Sequence, residues 1–193
     1  MSYGRATRSR LASVLLLGGF AACGGAGERP WTDLSGATHT PLGPAGGEAH
    51  VLVFLTTDCP IANAYAPRIQ ALAEQFADRP ARFFLVHVDP DVTADVARAH
   101  AADYGHQSPV LLDHEHALVG HTGVTVTPEV AVVVGDGEVV YRGRIDNWYG
   151  DLGRKRPKPT RHELRDALEA VFAGAEVEVP RTEAVGCYVP DLR

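Results

Sequence analysis

The sequence predicts an α/β domain in which a central mixed β-sheet is flanked by helices. Three observations indicate this fold class. Apolar runs of strand type alternate with helical periodicity between residues 51 and 112, a Gly-Asp-Gly turn at 135–137 joins two further strand-like runs, and an amphipathic helix follows residue 160. Strands that alternate with helices imply parallel crossover connections, whereas a hairpin adds antiparallel strands. The sheet is therefore expected to be mixed.

The first strand and helix of the domain enclose a cysteine. Residues 51–55 form a continuous apolar run, which is typical of a strand buried on both faces, and residues 56–58 end it. Pro60 suits the first position of a helix, because its missing N–H group needs no partner there. A helix to about residue 77 is predicted by apolar residues at helical spacing, namely Ile61, Tyr65, Ile69, Leu72 and Phe76. Cys59 is thus expected at a helix N-terminus.

The later elements follow from the same kinds of pattern. Strands are predicted at 81–88, 109–112, 130–134 and 138–145, the last two joined by the Gly135-Asp136-Gly137 hairpin turn. A helix capped by Thr93 or Asp91 is expected to end at Gly105, with its inner face formed by Val96, His100 or Ala101, and Tyr104. A short helix is predicted at 115–120, and the spacing of Thr160 and Glu163 predicts a capping box for a last helix that ends at Gly174.

Composition limits the classes of function. The chain has 193 residues, of which 45% are hydrophobic and 22% charged, so one domain with an ordinary core is expected. The net charge of −6 argues against a nucleic-acid partner, because such proteins neutralise phosphates with basic residues.

The N-terminus has the pattern of an export signal. Arg5, Arg8 and Arg10 precede an apolar run at 11–22 that is too short to span a bilayer. The run ends at Cys23 in a sequence that resembles the lipobox of bacterial lipoproteins, with Phe20 at a position that usually holds a leucine-like residue. This resemblance implies a lipid on Cys23 and a membrane anchor on the periplasmic side; ordinary cleavage nearby is the alternative.

The remaining organisation follows from breaker residues. Residues 1–23 are predicted to be the signal peptide, and 24–47, rich in Gly and Pro, a flexible tether with room for one short strand. The domain is expected at 48–174, followed by an extended tail at 175–193 that carries Cys187. If Cys23 is lipidated, Cys59 and Cys187 are the two cysteines left for redox chemistry in a compartment that permits disulfides.

Cys59 is the main candidate for chemistry. The unpaired N–H groups and the positive end of a helix dipole stabilise a thiolate, which is the reactive form of cysteine. The alternative is a small, buried and inert cysteine at the end of a strand.

Residues 48–173 resemble the thioredoxin-like superfamily, specifically its redoxin branch, which includes peroxiredoxin-like and thiol–disulfide exchange domains. The motifs that carry the resemblance are Cys59 at a strand-to-helix turn, Pro67 in the helix, Pro109-Val110-Leu111-Leu112-Asp113, Thr127-Pro128 before a strand, and Tyr141-Arg142-Gly143 on the closing hairpin. The resemblance implies that Thr127-Pro128 is a cis-proline pair against Cys59, where it shapes a groove for an extended thiol partner or substrate.

Two departures separate the chain from the best-known motifs of this superfamily. The C-x-x-C motif of thioredoxins is replaced by Cys59-Pro60-Ile61-Ala62, which lacks the second thiol. In the P-x-x-x-T-x-x-C pattern of peroxiredoxins, Thr56 matches the threonine, whereas Leu52 replaces the proline. Thr56 is accordingly expected to orient the Cys59 thiol or to hydrogen-bond it.

The tail supplies a second thiol. The segment from Arg142 to Asn147, together with Gly186-Cys187-Tyr188, resembles a bacterial subgroup of redoxin domains with this same tail. Our hypothesis is that Cys187 resolves an oxidised or mixed-disulfide Cys59; a static structural disulfide is the alternative.

These observations predict a thiol-dependent oxidoreductase that exchanges disulfides with a partner protein and needs no cofactor. A peroxiredoxin-like peroxide reductase is the second hypothesis, and a non-catalytic binding or assembly module the third. No metal is expected, because His114, His116 and His121 do not share one helical face at ligand spacing. The basic run at 154–158 is interpreted as a solvated loop, with an anionic partner as the alternative.

Overall fold

A computed structural model describes Met1, residues 29–43 and residues 49–192. The predicted signal peptide beyond Met1, with the lipid-attachment candidate Cys23, lies outside the described residues. None of the helices in the described ranges has the combined length and hydropathy of a membrane-spanning helix.

The domain is built around a five-stranded mixed sheet. The strands are β1 (Trp31–Thr32), β2 (Thr38–His39), β3 (Ala49–Leu55), β4 (Ala81–His87), β5 (Val110–Leu112), β6 (Val126–Thr127), β7 (Glu129–Val134), β8 (Glu138–Gly143), β9 (Tyr149–Asp151), β10 (Arg154–Lys155) and β11 (Cys187–Tyr188). The helices are α1 (Pro60–Gln75), α2 (Ala94–Asp103), α3 (Ala117–Thr122) and α4 (Glu163–Phe172). The main sheet has the order β5-β4-β3-β7-β8, with β3, β4 and β5 parallel and β7 and β8 antiparallel. This arrangement confirms the predicted mixed α/β fold, and the predicted bounds differ from these by at most two residues for the strands of the main sheet and the first three helices.

The sheet separates two hydrophobic cores, because alternate residues of β3 point to opposite faces. On one face Val51 and Val53 pack with residues of α1 and α4, including Ile69 and Leu168. On the other face Leu52 and Phe54 pack with Leu118 of α3 and with its neighbours. The helices on both faces thus hold β3 rigidly, and its C-terminal end presents Cys59.

The capping box predicted at Thr160 and Glu163 is wrong. The helix α4 begins at Glu163 after His162, whose side chain makes no capping hydrogen bond. The Thr160 hydroxyl instead accepts a hydrogen bond from Asn147 Nδ2 at 2.9 Å, and the Glu163 carboxylate pairs with Arg144. Both side chains are used to join the loop before α4 to the sheet, so neither is left to cap the helix.

The predicted inner face of the second helix is also partly wrong. Thr93 caps α2 by accepting a hydrogen bond from the Val96 backbone, as expected. However, Val96 is 50% exposed and Tyr104 41% exposed, whereas Ala97 and His100 are buried. The helix is rotated so that His100 reaches Asn63 on α1, a tertiary contact that periodicity alone does not encode.

The prediction of a flexible tether at 24–47 is wrong for residues 29–43, the part that the structure describes. Residues 29–43 contain the antiparallel pair β1 and β2, and Trp31 and Leu42 are buried in the second core. The Asp33 carboxylate closes the turn between these strands by accepting hydrogen bonds from Ser35 and from the Ala37 backbone. Burial opposes the ionisation of Asp33, but these bonds and His39 lower its pKa to about 2. The folded unit therefore begins well before residue 48.

Three imidazole rings cluster where the end of β4 meets α2. The ring centroids of His87 and His100 are 5.1 Å apart, and those of His100 and His106 are 6.0 Å apart. Burial, followed by repulsion from the neighbouring rings, lowers the pKa of His87 to about 3 and that of His106 to about 4. The rings are therefore neutral in the folded protein at pH 7.

We expect acidification to destabilise the protein through His87. An unfolded chain protonates histidine near pH 6.5, whereas folded His87 stays neutral down to about pH 3. Because the unfolded state binds more protons in this window, the free energy of unfolding should fall by about 2 kcal/mol between pH 6.5 and about pH 5. Urea unfolding at the two pH values measures the change. His87→Gln should show a weaker pH dependence, and an unchanged dependence would contradict the assignment.

Candidate active site

Cys59 lies at the strand-to-helix turn predicted from the sequence. It is the N-cap of α1, directly after β3 and before Pro60 at the first helical position, and its Sγ accepts a hydrogen bond from the Ala62 N–H at 3.5 Å. Asn63 fixes the turn, since its backbone N–H donates to the Cys59 carbonyl and its Nδ2 donates to the Thr57 carbonyl. The Cys59 thiol therefore has a defined position at the positive end of a helix dipole.

The Thr127-Pro128 pair faces this thiol. Its peptide bond is cis, as the resemblance implied. The Cys59 Sγ donates a hydrogen bond to the Thr127 carbonyl at 2.9 Å, although the two residues are 68 positions apart in the chain. We name the edge formed by residues 125–128 beside Cys59 the partner groove.

The C-terminal tail returns to this groove and brings Cys187 with it. The strand β11 pairs with β6 in antiparallel orientation, with Cys187 opposite Thr127 and Tyr188 opposite Val126. The Val189 N–H extends the pairing to the Thr125 carbonyl at 3.0 Å. Cys59 and Cys187 are both free thiols, and both lie against Thr127: the Cys59 Sγ bonds its carbonyl, and Cys187 is its partner in the strand pairing. The structure thus places together two cysteines that are 128 positions apart in the sequence.

The two thiols have opposite pKa shifts. Burial raises the pKa of Cys59, but hydrogen bonds from the Cys187 thiol and the Ala62 N–H outweigh burial and leave the pKa lowered. The buried Thr127 hydroxyl also favours the Cys59 thiolate, although it lies outside hydrogen-bond geometry. For Cys187, burial and the neighbouring Cys59 raise the pKa to about 12. Cys59 is therefore the more readily ionised thiol of the two, and Cys187 keeps its proton to a higher pH.

Thr56 does not make the contact expected of it. The residue is buried, but the hydrogen-bond partners of the Cys59 thiol are the Thr127 carbonyl, the Ala62 N–H and Cys187. The helix cap turns the Cys59 side chain toward the cis-proline loop, which satisfies the thiol without the Thr56 hydroxyl. The structure thus shows no hydrogen bond between Thr56 and the thiol, and the orienting role of Thr56 stays a prediction.

The other polar clusters singled out in the sequence have local roles. Each of the three imidazoles considered for a metal is hydrogen-bonded to a backbone carbonyl: His114 to Val92, His116 to Val88 and His121 to Gly137. The basic run at 154–158 begins with β10, which pairs with β9, and the Lys155 Nζ lies 5.0 Å from the centroid of the Trp148 ring.

A second attachment of the tail was not predicted. The Arg142 N–H donates to the Pro180 carbonyl, and the Thr182 N–H donates back to the Arg142 carbonyl. The Thr182 hydroxyl is 2.8 Å from the Tyr141 hydroxyl. Gly143 permits this approach, because a Cβ there would lie 2.9 Å from the Thr182 nitrogen. The only sequence signal for this contact was the glycine of Tyr141-Arg142-Gly143, which does not by itself identify a partner.

We expect the Cys187 thiol to be a main cause of the low pKa of Cys59. Replacing Cys187 by alanine removes the first of the groups that lower this pKa, while burial remains. The pKa of Cys59 should therefore rise, and less thiolate should be present at pH 7. Ultraviolet absorbance of the thiolate during a pH titration measures the change. Cys187→Ser, which keeps a hydroxyl donor, is the matched control and should raise the pKa less; equal titrations of all three proteins would contradict the assignment.

Comparison with known proteins places this site in a family. A family model described as Redoxin matches residues 32–149, which is more than half of the chain. The search of curated proteins gave no significant match.

Solved structures have the same fold at low sequence identity. An uncharacterized conserved protein from Geobacillus kaustophilus has a TM-score of 0.69 at 20% identity, covering 84% of this chain and 89% of that chain. A hypothetical protein from Sinorhizobium meliloti has a TM-score of 0.68 at 20% identity, with 83% and 89% covered. A secreted Mycobacterium tuberculosis disulfide oxidoreductase, homologous to Escherichia coli DsbE, has a TM-score of 0.51 at 20% identity, with 77% and 97% covered. These similarities show the thioredoxin-like fold, and with the match to the family model they establish that the chain belongs to the Redoxin family.

Proposed function

We propose that this protein is a thiol–disulfide oxidoreductase in which Cys59 is the nucleophile and Cys187 the resolving thiol. The observation that carries the proposal is that two free thiols with opposite pKa shifts both lie against Thr127 in the cis-proline loop. A lowered pKa supplies the attacking thiolate, and a neighbouring thiol allows an internal disulfide to close. The second thiol thus comes from the tail rather than from a C-x-x-C motif.

The proposed reaction has two steps, formation of a mixed disulfide and its resolution. The Cys59 thiolate attacks one sulfur of a partner disulfide, so that a Cys59–partner bond forms and the partner S–S bond breaks. Cys187 then attacks the Cys59 sulfur of this mixed disulfide, and its proton goes to the departing partner thiolate. The partner gains two electrons, one proton from Cys187 and one proton from water at the thiolate released in the first step, and the chain is left with a Cys59–Cys187 disulfide.

Family membership supports this chemistry, and so does one structural relative. The Mycobacterium tuberculosis protein with the same fold is described as a secreted disulfide oxidoreductase. Its description supports disulfide exchange as the reaction and an exported location for this chain.

The test is a comparison of two oxidants. Reduced protein is mixed with a peptide disulfide or with hydrogen peroxide, and the second-order rate of Cys59 oxidation is measured for each. Faster reaction with the peptide disulfide supports exchange. No reaction with any disulfide would contradict the proposal.

Peroxide reduction is the second candidate, and the burial of Cys59 favours it. Cys59 is 1% exposed, so a small oxidant reaches its sulfur more easily than a folded protein does. The thiolate would attack a peroxide oxygen to give a sulfenic acid and water, and Cys187 would condense with this acid to release a second water. A peroxide rate that exceeds the peptide-disulfide rate would favour this candidate.

We further propose that the protein is exported and anchored by a lipid on Cys23. The support is the Arg-rich start, the short apolar run and the lipobox-like end at Cys23. Cys23→Ser should move the protein from the membrane fraction to the soluble fraction of the cell envelope, because lipid attachment requires the thiol. Cys187→Ser is the control and should stay with the membrane. Membrane association of both variants would contradict the anchor.

A further inference from the structure

The tail strand lies in the groove that a disulfide partner would use. This inference rests on the proposed function, since it concerns access to Cys59. Residues 187–189 pair with residues 125–127, and Cys59 below them is 1% exposed. A partner strand that paired with the same edge would meet this strand first. In the reduced protein the C-terminal tail therefore blocks access to Cys59 through the partner groove.

The two attachments of the tail differ in strength. The attachment at 180–182 combines two backbone hydrogen bonds with Arg142 and two bonds of the Thr182 hydroxyl, which accepts from the Arg144 N–H and shares a hydrogen bond with the Tyr141 hydroxyl. The attachment at 187–189 combines backbone pairing with the partly buried side chains of Cys187 and Val189, but beyond the Cys187 thiol no side-chain hydrogen bond to the rest of the protein is seen for these described residues, and the Tyr188 side chain is 85% exposed. A short strand held by few buried groups opens more readily than one fixed by side chains. Residues 183–186 can therefore act as a hinge while Thr182 stays attached.

The space around Gly186 limits which residue can precede a cysteine in the partner groove. A Cβ at this position would overlap the Thr127 carbonyl and would lie 3.2 Å from the Pro128 nitrogen. These are backbone atoms, which cannot move aside as a flexible side chain can. The residue that precedes the cysteine in this position must therefore be glycine.

We propose that residues 186–189 occupy the partner groove in the reduced protein and leave it when a disulfide partner reaches Cys59. The groove then selects an extended partner strand in which glycine precedes the reactive cysteine. The partner strand then takes the antiparallel pairing with 125–127. The Cys59–partner disulfide forms as the partner S–S bond breaks. When the tail returns, Cys187 attacks the Cys59 sulfur and the partner leaves as a thiol. Overall, one partner disulfide is reduced and the Cys59 and Cys187 thiols are oxidised.

The experiment uses the full chain carrying Cys23→Ser and Cys187→Ser, so that Cys59 is its one thiol and the reaction stops at the mixed disulfide. Two peptides, Val-Gly-Cys-Tyr and Val-Ala-Cys-Tyr, are prepared as mixed disulfides with thionitrobenzoate, and release of the coloured thiolate gives the rate at Cys59. The glycine peptide should react at least about tenfold faster, because the alanine methyl meets the Thr127 carbonyl.

A second arm tests the tail itself with the small disulfide cystamine. Gly186→Ala in the same Cys23→Ser and Cys187→Ser chain should lift the tail from the groove and raise the rate at Cys59 about tenfold. Gly120→Ala is the matched control, since a Cβ at Gly120 meets no atom within 4 Å, and its rate should be unchanged.

The outcomes separate this inference from the proposed function. Faster reaction of the glycine peptide and of the Gly186→Ala chain supports the inference. Equal rates for the two peptides, or no acceleration by Gly186→Ala, would overturn it while leaving Cys59 as the nucleophile. A Cys59 that reacts with neither peptide nor cystamine in any variant would overturn the inference and the proposed function together.

Discussion

Replacing Cys59 by serine is expected to lower the rate of thiol–disulfide exchange by at least about a thousandfold, because a hydroxyl does not ionise near neutral pH and cannot form the mixed disulfide. The measurement is the rate at which reduced protein opens a peptide disulfide. The fold should be retained, since serine keeps a donor for the Thr127 carbonyl and is no larger than cysteine. Circular dichroism and urea unfolding check this point.

The matched control for this experiment is the other cysteine. Cys187→Ser keeps the nucleophile, so its first attack on the disulfide should remain within about tenfold of the unchanged chain. If Cys59→Ser retains full activity in both the disulfide and the peroxide assay, neither enzymatic proposal survives. The chain would then be a binding module with the thioredoxin-like fold.

Cys187→Ser is expected to stop the reaction after one equivalent of partner. The Cys59–partner disulfide should form and persist, because among the described residues Cys187 is the second free thiol at this site, paired with the residue that Cys59 bonds. Steady-state turnover should fall at least about a hundredfold, with an external thiol reductant as the remaining route of release. Intact mass should show one partner molecule bound per chain, and peptide mapping should place it on Cys59.

An added small thiol provides the control for this prediction. It should release the trapped partner from Cys187→Ser and restore part of the turnover, whereas it should not rescue Cys59→Ser. Turnover by Cys187→Ser at the rate of the unchanged chain, without added thiol, would show that Cys187 does not resolve the intermediate.

The local half of the site could be predicted from the sequence. The apolar run 51–55, the break after it and Pro60 place Cys59 at a helix start, and the structure confirms this position. The proximity of Thr127-Pro128 could be expected only through the resemblance, because no local pattern encodes a contact over 68 positions. Because the C-x-x-C motif lacks its second cysteine, the sequence leaves Cys187 as the candidate second thiol.

The position of the tail could not be derived from pattern. The strand β11 has two residues, too few for a periodic signal, and its place depends on close approaches at Gly143 and Gly186 that exist only in the folded chain. The same limitation explains Thr160 and Glu163, whose spacing matched a capping box while their side chains bind Asn147 and Arg144. A spacing rule identifies candidates for a hydrogen bond, but tertiary contacts decide which partner each one takes.

The central claim is that Cys59 and Cys187 form a reversible catalytic pair, and a thiol count tests it most directly. In the Cys23→Ser chain, the two remaining cysteines are Cys59 and Cys187. We predict two free thiols after reduction, and after one equivalent of a peptide disulfide a rapid loss of both thiols and of two hydrogen atoms in the intact mass. A mild thiol should reverse the change. Thiols that stay free, or a disulfide that resists the mild reductant, would contradict the account.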